Sequence, residues 1–448
     1  MKHKQLIKIL ISAAVLITLS LLLIFFVDRQ QFEAESASVA VLGEAKYPTL
    51  APYPDDSLVG YGEWNQDKTR RRKQYRGYED ALDAFFAKTV PEFLADANEQ
   101  TIVYSPLNVY MALSMLAEIT DGTSRQQILD LIQVDSIDDL RTQSNAIWNA
   151  NYCDDGAVTS ILANSLWLRD GMKYKPEPIN ILAEQYYAST YQGNPTSRAY
   201  NQAYQNWLNE QTGGLLKHQI KEMELPAEMI ITLASTIYFK AKWQDEFAKE
   251  ETVQDIFYSN DGEITCDFMK QSMDSCYYGG EQFSAVQLPL EESGAMYILL
   301  PDEGVDLNTI LSDESAMQFL TNPMEWKNHR TSKVHLALPK FDVNSQLQLV
   351  TNLKKLGVTD VFDALTSDFT PLLEPEVLSF VSSVLHGARV QIDEEGCIAT
   401  AYTEIMMKEG AMELKDEVTF TVNRPFLFMI TSEVGSPLFV GAVNQPNT

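Results

Sequence analysis

The sequence predicts an α+β fold, because helical patterns dominate the first half of the chain and strand hairpins the second. Apolar residues make up 45% of the 448 residues and charged residues 21%, a mixture typical of a globular core. Near the end, residues 426–430 and 438–443 are two apolar runs joined by a short turn. This pattern indicates a hairpin in the middle of a sheet, because both of its faces are apolar.

The individual elements follow from hydrophobic periodicity. Residues 80–94 carry apolar side chains at helical spacing, and residues 107–117 are apolar almost throughout, so we expect an amphipathic helix followed by a helix buried on all sides. Residues 200–209 and 347–356 are further helical stretches. Apolar runs of strand length precede the closing hairpin at 162–168, 230–239, 285–290 and 296–300.

Charge and composition exclude several classes of function. The chain has 34 basic and 62 acidic residues, a net charge of −28, which argues against nucleic acid as a partner because a phosphate backbone needs a basic footprint. The five histidines are scattered, and no zinc-type spacing of Cys and His occurs. Neither a GxSxG, a Walker A nor a GxGxxG motif is present. We therefore expect no metal, no cofactor and no enzymatic activity.

The N-terminal residues predict a membrane anchor or a secretion signal. Residues 9–27 are 19 uncharged residues preceded by Lys2, Lys4 and Lys8. This length is closer to a spanning helix than to a signal-peptide core, so residues 1–27 are either an uncleaved anchor with its N-terminus inside or a cleaved secretion signal. Both alternatives place the rest of the chain outside the cytoplasm.

Residues 28–76 predict a flexible extracytoplasmic linker, because they are rich in Ala, Ser, Pro and Gly and show little periodicity. The linker ends in the basic run 68–73, which is interpreted as solvated, although contact with an anionic cell wall or proteolytic trimming remains open. Residues 77–448 contain no second linker and predict one large domain.

The segment between Gly396 and Arg424 is an unusually long connection of 27 residues. Its first half alternates with period two, which is the signature of a strand. One face carries the small residues Cys397, Ala399, Ala401 and Thr403. The segment therefore resembles a spare strand with one face suited to a tight core, and an ordinary edge strand is the alternative.

Several motifs occur in a fixed order along the body. They are Tyr104-Ser105-Pro106-Leu107-Asn108, Asn206-Trp207-Leu208, Thr212-Gly213-Gly214, Ile237-Tyr238-Phe239-Lys240-Ala241-Lys242-Trp243, Leu338-Pro339-Lys340-Phe341, Leu353-Lys354-Lys355-Leu356-Gly357-Val358, Asp368-Phe369, His386-Gly387-Ala388, Asp393-Glu394-Glu395-Gly396 and Arg424-Pro425-Phe426-Leu427-Phe428. In this order and spacing, residues 78–446 resemble the serpin family. No single motif is decisive, but the ordered set is highly specific.

The resemblance implies a domain of three β-sheets and about nine helices with an exposed reactive-centre loop. It also implies a suicide inhibitor of serine proteases, in which the loop is cleaved, the acyl-enzyme forms and the loop inserts into a β-sheet. The hinge of the loop is then Glu394, Glu395, Gly396, Cys397, Ala399, Ala401 and Thr403.

The resemblance further implies which residues form the reactive bond and control insertion. Counting about fourteen residues from the hinge glycine puts the bond between Gly410 and Ala411, and a small residue there suits an elastase- or subtilisin-like protease. Insertion is controlled at positions occupied here by Ser105, Asn108, Ser235, Trp243 and His386.

Two of these positions depart from the family. Asn108 stands where a second Ser is usual, and Ser235 stands where Asn is usual. We interpret the pair as an exchange that keeps a hydrogen-bond cluster beside His386, with two independent changes as the alternative.

The remaining expectations concern partners and cysteines. A non-inhibitory serpin, acting as a surface binding module or chaperone, is the alternative function. A heparin-type polyanion is not expected, because Arg141 is the only basic residue between Gln126 and Leu168, and the protein is expected to be a monomer. Cys266 and Cys276 flank a predicted hairpin and either form a disulfide or remain two thiols.

Overall fold

The computed structural model describes residues 39–54, 58–221, 223–374, 377–397 and 416–446. The predicted anchor, residues 1–27, and most of the reactive-centre loop lie outside these residues. Among the helices that are described, none is both long and apolar enough to cross a membrane.

The described residues form seventeen strands, numbered in chain order. They are β1 (Ala40–Gly43), β2 (Ile102–Tyr104), β3 (Cys153–Asp154), β4 (Thr159–Arg169), β5 (Ala188–Gly193), β6 (Ile231–Lys242), β7 (Val253–Ser259), β8 (Gly262–Gly279), β9 (Phe283–Pro289), β10 (Ala295–Pro301), β11 (His329–Pro339), β12 (Phe341–Gln348), β13 (Leu385–Ile392), β14 (Gly396–Cys397), β15 (Glu417–Thr421), β16 (Phe426–Thr431) and β17 (Pro437–Val443).

Eleven α-helices occur within the same residues. They are α1 (Leu58–Tyr75), α2 (Glu79–Phe93), α3 (Pro106–Glu118), α4 (Gly122–Ile132), α5 (Ile137–Asn151), α6 (Pro176–Gln185), α7 (Arg198–Gln211), α8 (Lys217–Ile220), α9 (Leu307–Leu311), α10 (Glu314–Thr321) and α11 (Val350–Lys355). Three short 3₁₀ turns, Lys249–Glu251, Pro323–Glu325 and Asp360–Phe362, complete the set. The helices and strands predicted from periodicity are confirmed, although α11 is shorter than its pattern suggested.

The strands form one sheet of eight strands and one of nine. The first has the order β1-β5-β4-β6-β14-β13-β12, with β3 paired to β4. The second has the order β15-β11-β8-β9-β10-β16-β17-β2, with β7 paired to β8. Its long strand β8 pairs with β7 through its first residues and with β9 through its last, so that dividing this sheet along β8 gives the three sheets of the predicted fold.

The core is built around α3, in which twelve of thirteen residues are buried, as its apolar sequence predicted. This helix packs against β6 on one side and β17 on the other, so it lies between the two sheets. The opposite face of the eight-stranded sheet carries a smaller cluster, in which Trp167 packs against Tyr200 and Tyr204 of α7.

The linker predicted over residues 28–76 is wrong for the part that the structure describes. β1 adds an antiparallel strand to β5 at the edge of the eight-stranded sheet, and α1 packs on α5. Trp64 of α1 is only 2% exposed, and its Nε1 donates to Asp155 at 2.7 Å. Helix α1 has no apolar stripe, and a few specific contacts hold it instead, so periodicity could not reveal it.

The hairpin predicted between Cys266 and Cys276 is also wrong. Both residues lie in the single strand β8, ten positions apart, which corresponds to roughly 33 Å along an extended chain. A disulfide requires Cα atoms within about 7 Å, and both cysteines are free thiols.

Candidate functional site

The start of the long loop is already part of the eight-stranded sheet. β14 lies between β6 and β13, with Gly396 opposite Lys242 and Cys397 opposite Ala241 on one side and Ile392 on the other. The hinge predicted at Glu394, Glu395 and Gly396 is therefore placed at the end of the sheet where β6 finishes.

Away from β14 the sheet is divided. β6 pairs with β4 along ten positions on its outer side, and β13 pairs with β12 along its whole length. Within the described chain, β6 and β13 do not pair with each other. The sheet thus has a position for one further strand between β6 and β13. Among the described residues only β14 occupies this position, at its hinge end.

Only a glycine fits the backbone at position 396. Its φ of +148° lies in a region that other residues rarely adopt. A Cβ at this position would lie 2.5 Å from the carbonyl oxygen of Ala241 in β6. The backbone can pass this close to β6 at the turn from β13 into β14 only because Gly396 has no side chain.

The turn before Gly396 is fixed by Asp393 and Trp243. The carboxylate Oδ1 of Asp393 accepts from the backbone N–H groups of Glu395 at 3.0 Å and Gly396 at 3.3 Å. The indole Nε1 of Trp243 donates to the carbonyl oxygen of Asp393 at 2.9 Å. Trp243 itself is buried, so a large rigid side chain anchors the turn to the end of β6.

Glu394 is a buried carboxylate beneath the turn, only 7% exposed. Lys340 lies 2.8 Å from its Oε2, and the hydroxyl of Thr252 donates to its Oε1 at 2.9 Å. Burial raises the pKa of this carboxyl, but the hydrogen bonds from Lys340 and Thr252 outweigh it and hold the pKa below its usual range. Glu395, in contrast, forms an outer ion pair with Lys249 at 2.5 Å.

His386 lies in β13 next to the start of α3, and its control of insertion stays a prediction. The backbone N–H of Ser105 donates to its Nε2 at 3.0 Å, so the ring is neutral and carries its proton on Nδ1. Burial without a charged partner lowers the pKa of His386 to about 4. Ser105 also caps α3, because its hydroxyl oxygen accepts from the N–H of Asn108 at 3.2 Å.

The predicted exchange between Asn108 and Ser235 is not formed in this structure. The side-chain nitrogen of Asn108 is buried and has no hydrogen-bond partner among the described residues. Ser235 faces α3, because its neighbours Leu233 and Ile237 in the period-two pattern of β6 pack on the central core. The two residues thus share a region, but no hydrogen bond joins them.

The other predicted site residues lie outside the described residues: Ala399, Ala401, Thr403, Gly410 and Ala411. Sequence reasoning missed the partners of the hinge, which are Asp393, Lys340, Thr252 and Lys249. Asp393 and Lys340 lie within the quoted motifs, but nothing in their spacing shows that they meet. No group of His, Cys, Asp or Glu in the described chain is arranged to hold a metal ion.

The family model described as "Serpin (serine protease inhibitor)" matches residues 80–446. Serpin-ZX of Arabidopsis thaliana is 27% identical over an alignment of 370 residues, and the match covers 78% of this chain and 93% of that protein. Leukocyte elastase inhibitor A of Rattus norvegicus is 27% identical over 356 residues, with coverages of 77% and 93%.

Solved structures with the same fold are more distant in sequence. The thermophilic serpin tengpin in its native state has a TM-score of 0.73 and 22% identity, and the match covers 91% of this chain and all of that one. Thyroxine-binding globulin in complex with thyroxine has a TM-score of 0.68 and 20% identity, with coverages of 82% and 99%. At these identities the structural likeness establishes the fold.

Proposed function

The chain belongs to the serpin family, and from this premise we propose that it is a suicide inhibitor of serine proteases. A protease would attack the carbonyl carbon of Gly410 with its serine oxygen, and the bond to the nitrogen of Ala411 would break as that nitrogen takes up a proton. The loop, freed at its C-terminal side, would then insert between β6 and β13 before the acyl-ester is hydrolysed.

The observation that carries this proposal is the position of β14. Gly396 and Cys397 already pair with β6, and Cys397 also pairs with β13, so residues 398 onward would continue in the same direction towards the other end of the sheet. A strand inserted there gains ladder hydrogen bonds on both sides, each worth about 0.5–1.5 kcal/mol net. This gain would drag the acylated protease along the sheet and distort its oxyanion hole and catalytic triad.

The residues around the predicted bond favour a particular class of target. Gly410 would enter a shallow primary pocket, as in elastase-like or subtilisin-like proteases. Lys408 lies two residues earlier. Cleavage after Lys408 by a trypsin-like enzyme would leave a shorter strand to insert, so this enzyme should cleave the loop more often than it is trapped.

The test is complex formation with matched loop variants. Ala399→Arg puts a charge on the face that would be buried, whereas Thr400→Arg puts the same charge on the outward face. The parent and Thr400→Arg should form a detergent-stable complex with an elastase- or subtilisin-like protease, and Ala399→Arg should be cleaved as a substrate. Equal trapping by both variants would refute loop insertion.

The competing function is that of a non-inhibitory serpin acting as a binding module. The fold is compatible with it, because a similar solved structure is that of thyroxine-binding globulin with bound thyroxine. The two functions differ in what happens after the loop is cut near Gly410. Inhibition requires that the cleaved form melts at a higher temperature than the intact form, whereas an unchanged midpoint favours a binding module.

We also propose an extracytoplasmic monomer, anchored through residues 1–27 or secreted, that does not bind a polyanion. Part of the basic run 68–73 supports the last point, because Lys68, Arg71 and Arg72 pair with carboxylates of the chain. The interpretation of the run as solvated is wrong for Lys68 and Arg71, which are buried. Lys68 lies 3.0 Å from a carboxylate oxygen of Glu433, and Arg72 pairs with the same carboxylate. Arg71 pairs with Asp67 at 3.2 Å.

A further inference from the structure

The eight-stranded sheet has two ends, and the N-terminal segment enters at one of them. We call the end with Trp243 and Gly396 the hinge pole and the opposite end the base pole. Strands β6 and β13 both begin at the base pole and finish at the hinge pole, since both run antiparallel to β14. The pairing β6–β4–β5–β1 puts Ala40, opposite Gln192, near the base pole.

The base pole also carries large apolar side chains that the fold leaves exposed. They are Leu365, Leu378, Phe380 and Leu385, which are 89%, 70%, 50% and 63% exposed, and we call them the base patch. Leu385 opens β13 at this pole.

Backbone contacts hold the rest of the patch at the same pole. The N–H of Lys175, in the connection that follows β4, donates to the carbonyl oxygen of Leu372 at 2.9 Å. The hydroxyl of Ser367 donates to the carbonyl oxygen of Ser379 at 2.5 Å. This hydrogen bond joins the segment of Leu365 to that of Leu378 and Phe380. Four large apolar side chains exposed at one pole are more than the singly scattered ones of an ordinary surface, and we take them as an interaction site.

We propose that the base patch lies against the lipid bilayer that residues 9–27 enter, so that the hinge pole and its loop point away from the membrane. This inference rests on the anchored location proposed above. We choose the bilayer as the partner because the described chain begins near the base pole and only a short connection separates it from residues 9–27. Only residues 28–38, eleven residues, separate the apolar segment from Val39.

The length of this connection decides which pole can face the bilayer. Eleven residues span at most about 38 Å when fully extended and about 20 Å as a flexible coil. A domain of about 400 residues has a radius of gyration of roughly 21 Å, hence a diameter of more than roughly 50 Å. A connection that leaves from the base pole is therefore too short to let the hinge pole turn towards the membrane.

The contact would be apolar rather than electrostatic. The chain carries a net charge of −28, and Asp363 and Glu374 lie in the same segment as the patch, so an anionic lipid surface is disfavoured. We expect the patch to bind a zwitterionic bilayer and to do so equally well at high ionic strength.

The experiment uses the full chain reconstituted into phosphatidylcholine vesicles whose acyl chains are brominated near the headgroup, since bromine quenches nearby tryptophan. Reporters are Phe380→Trp and Leu378→Trp in the base patch, with Glu250→Trp as the matched control beside Lys249 at the hinge pole. The tryptophan introduced in the patch should lose at least about threefold more of its fluorescence than the control, as expected for side chains in the interface.

Equal quenching of patch and control reporters, or a full chain that does not stay with the vesicles, would overturn the proposal. It would also be overturned if light scattering in detergent gave a dimer that Leu378→Asp dissociates, because a second copy would then cover the patch. Trapping of an elastase-like protease on the same vesicles is scored separately, so that inhibition and the membrane-facing pole can fail independently.

Discussion

His386 should make the stability of this protein fall steeply between pH 6.5 and pH 4. The ring is fully buried, accepts a hydrogen bond from the Ser105 N–H, and has its pKa lowered to about 4 by burial. In the unfolded chain its pKa is about 6.5. Because the folded state binds the proton less readily, acid favours the unfolded state as soon as the unfolded ring starts to be protonated.

The magnitude follows from the pKa difference. A difference of about 2.5 units corresponds to about 3 kcal/mol, at 1.36 kcal/mol per unit. This stability is fully present above pH 6.5, is lost progressively as the pH falls towards 4, and does not change further below that. Acidic groups such as Glu394, whose pKa is held below its usual range, lose their contribution at lower pH.

The measurement compares the parent with His386→Gln by urea unfolding of the uncleaved protein between pH 7.5 and pH 4. Glutamine keeps an oxygen that can accept from the Ser105 N–H but does not titrate. The difference in unfolding free energy between the two proteins should shift by about 3 kcal/mol across this range, in favour of the variant at low pH. Parallel pH profiles, or a pKa near 6.5 for the folded ring by NMR titration, would refute the reasoning.

Three further outcomes are expected. Gly396→Ala should destabilise the hinge by about 1–3 kcal/mol, because of its positive φ and the backbone contact, and should raise the fraction of inhibitor that a target protease cleaves without being trapped. Trp64→Ala should cost about 3–5 kcal/mol of unfolding free energy, whereas Asn65→Ala at an exposed position of α1 should change it by less than about 0.5 kcal/mol; equal effects would mean that the helix does not dock. Alkylation in denaturant without reductant should modify both Cys266 and Cys276, and a mass that lacks both labels would show a bridge.

The sequence predicted the buried helix α3 and the hairpin β16–β17 correctly, because their residues are apolar in every direction and need no partner to be recognised. The quoted motif also singled out Gly396, which the structure places at the start of β14, and its role as a hinge stays a prediction. These features depend on residue identity and on spacing within a few turns of chain.

The contacts that make the hinge a site could not be read in this way. Lys340 meets Glu394 across 54 positions, and Asp393 meets Trp243 across 150. Whether such groups touch depends on strand register and on sheet order, which no local pattern contains. The same limit applies to Asn108, which is expected to join a hydrogen-bond cluster beside His386 but whose side-chain nitrogen has no partner among the described residues.

Taken by itself, the sequence determined the fold class and the family, and it predicts a hinge glycine and an alternating loop suited to one buried face. Only the tertiary structure decided that residues 39–54 and 58–75 belong to the domain and that Cys266 and Cys276 lie in the single strand β8. It also decided that β6 and β13 do not pair with each other where β14 begins. The physical reason is that periodicity reports which face of an element is buried. The partner that buries it is chosen by packing and register between residues far apart in the chain.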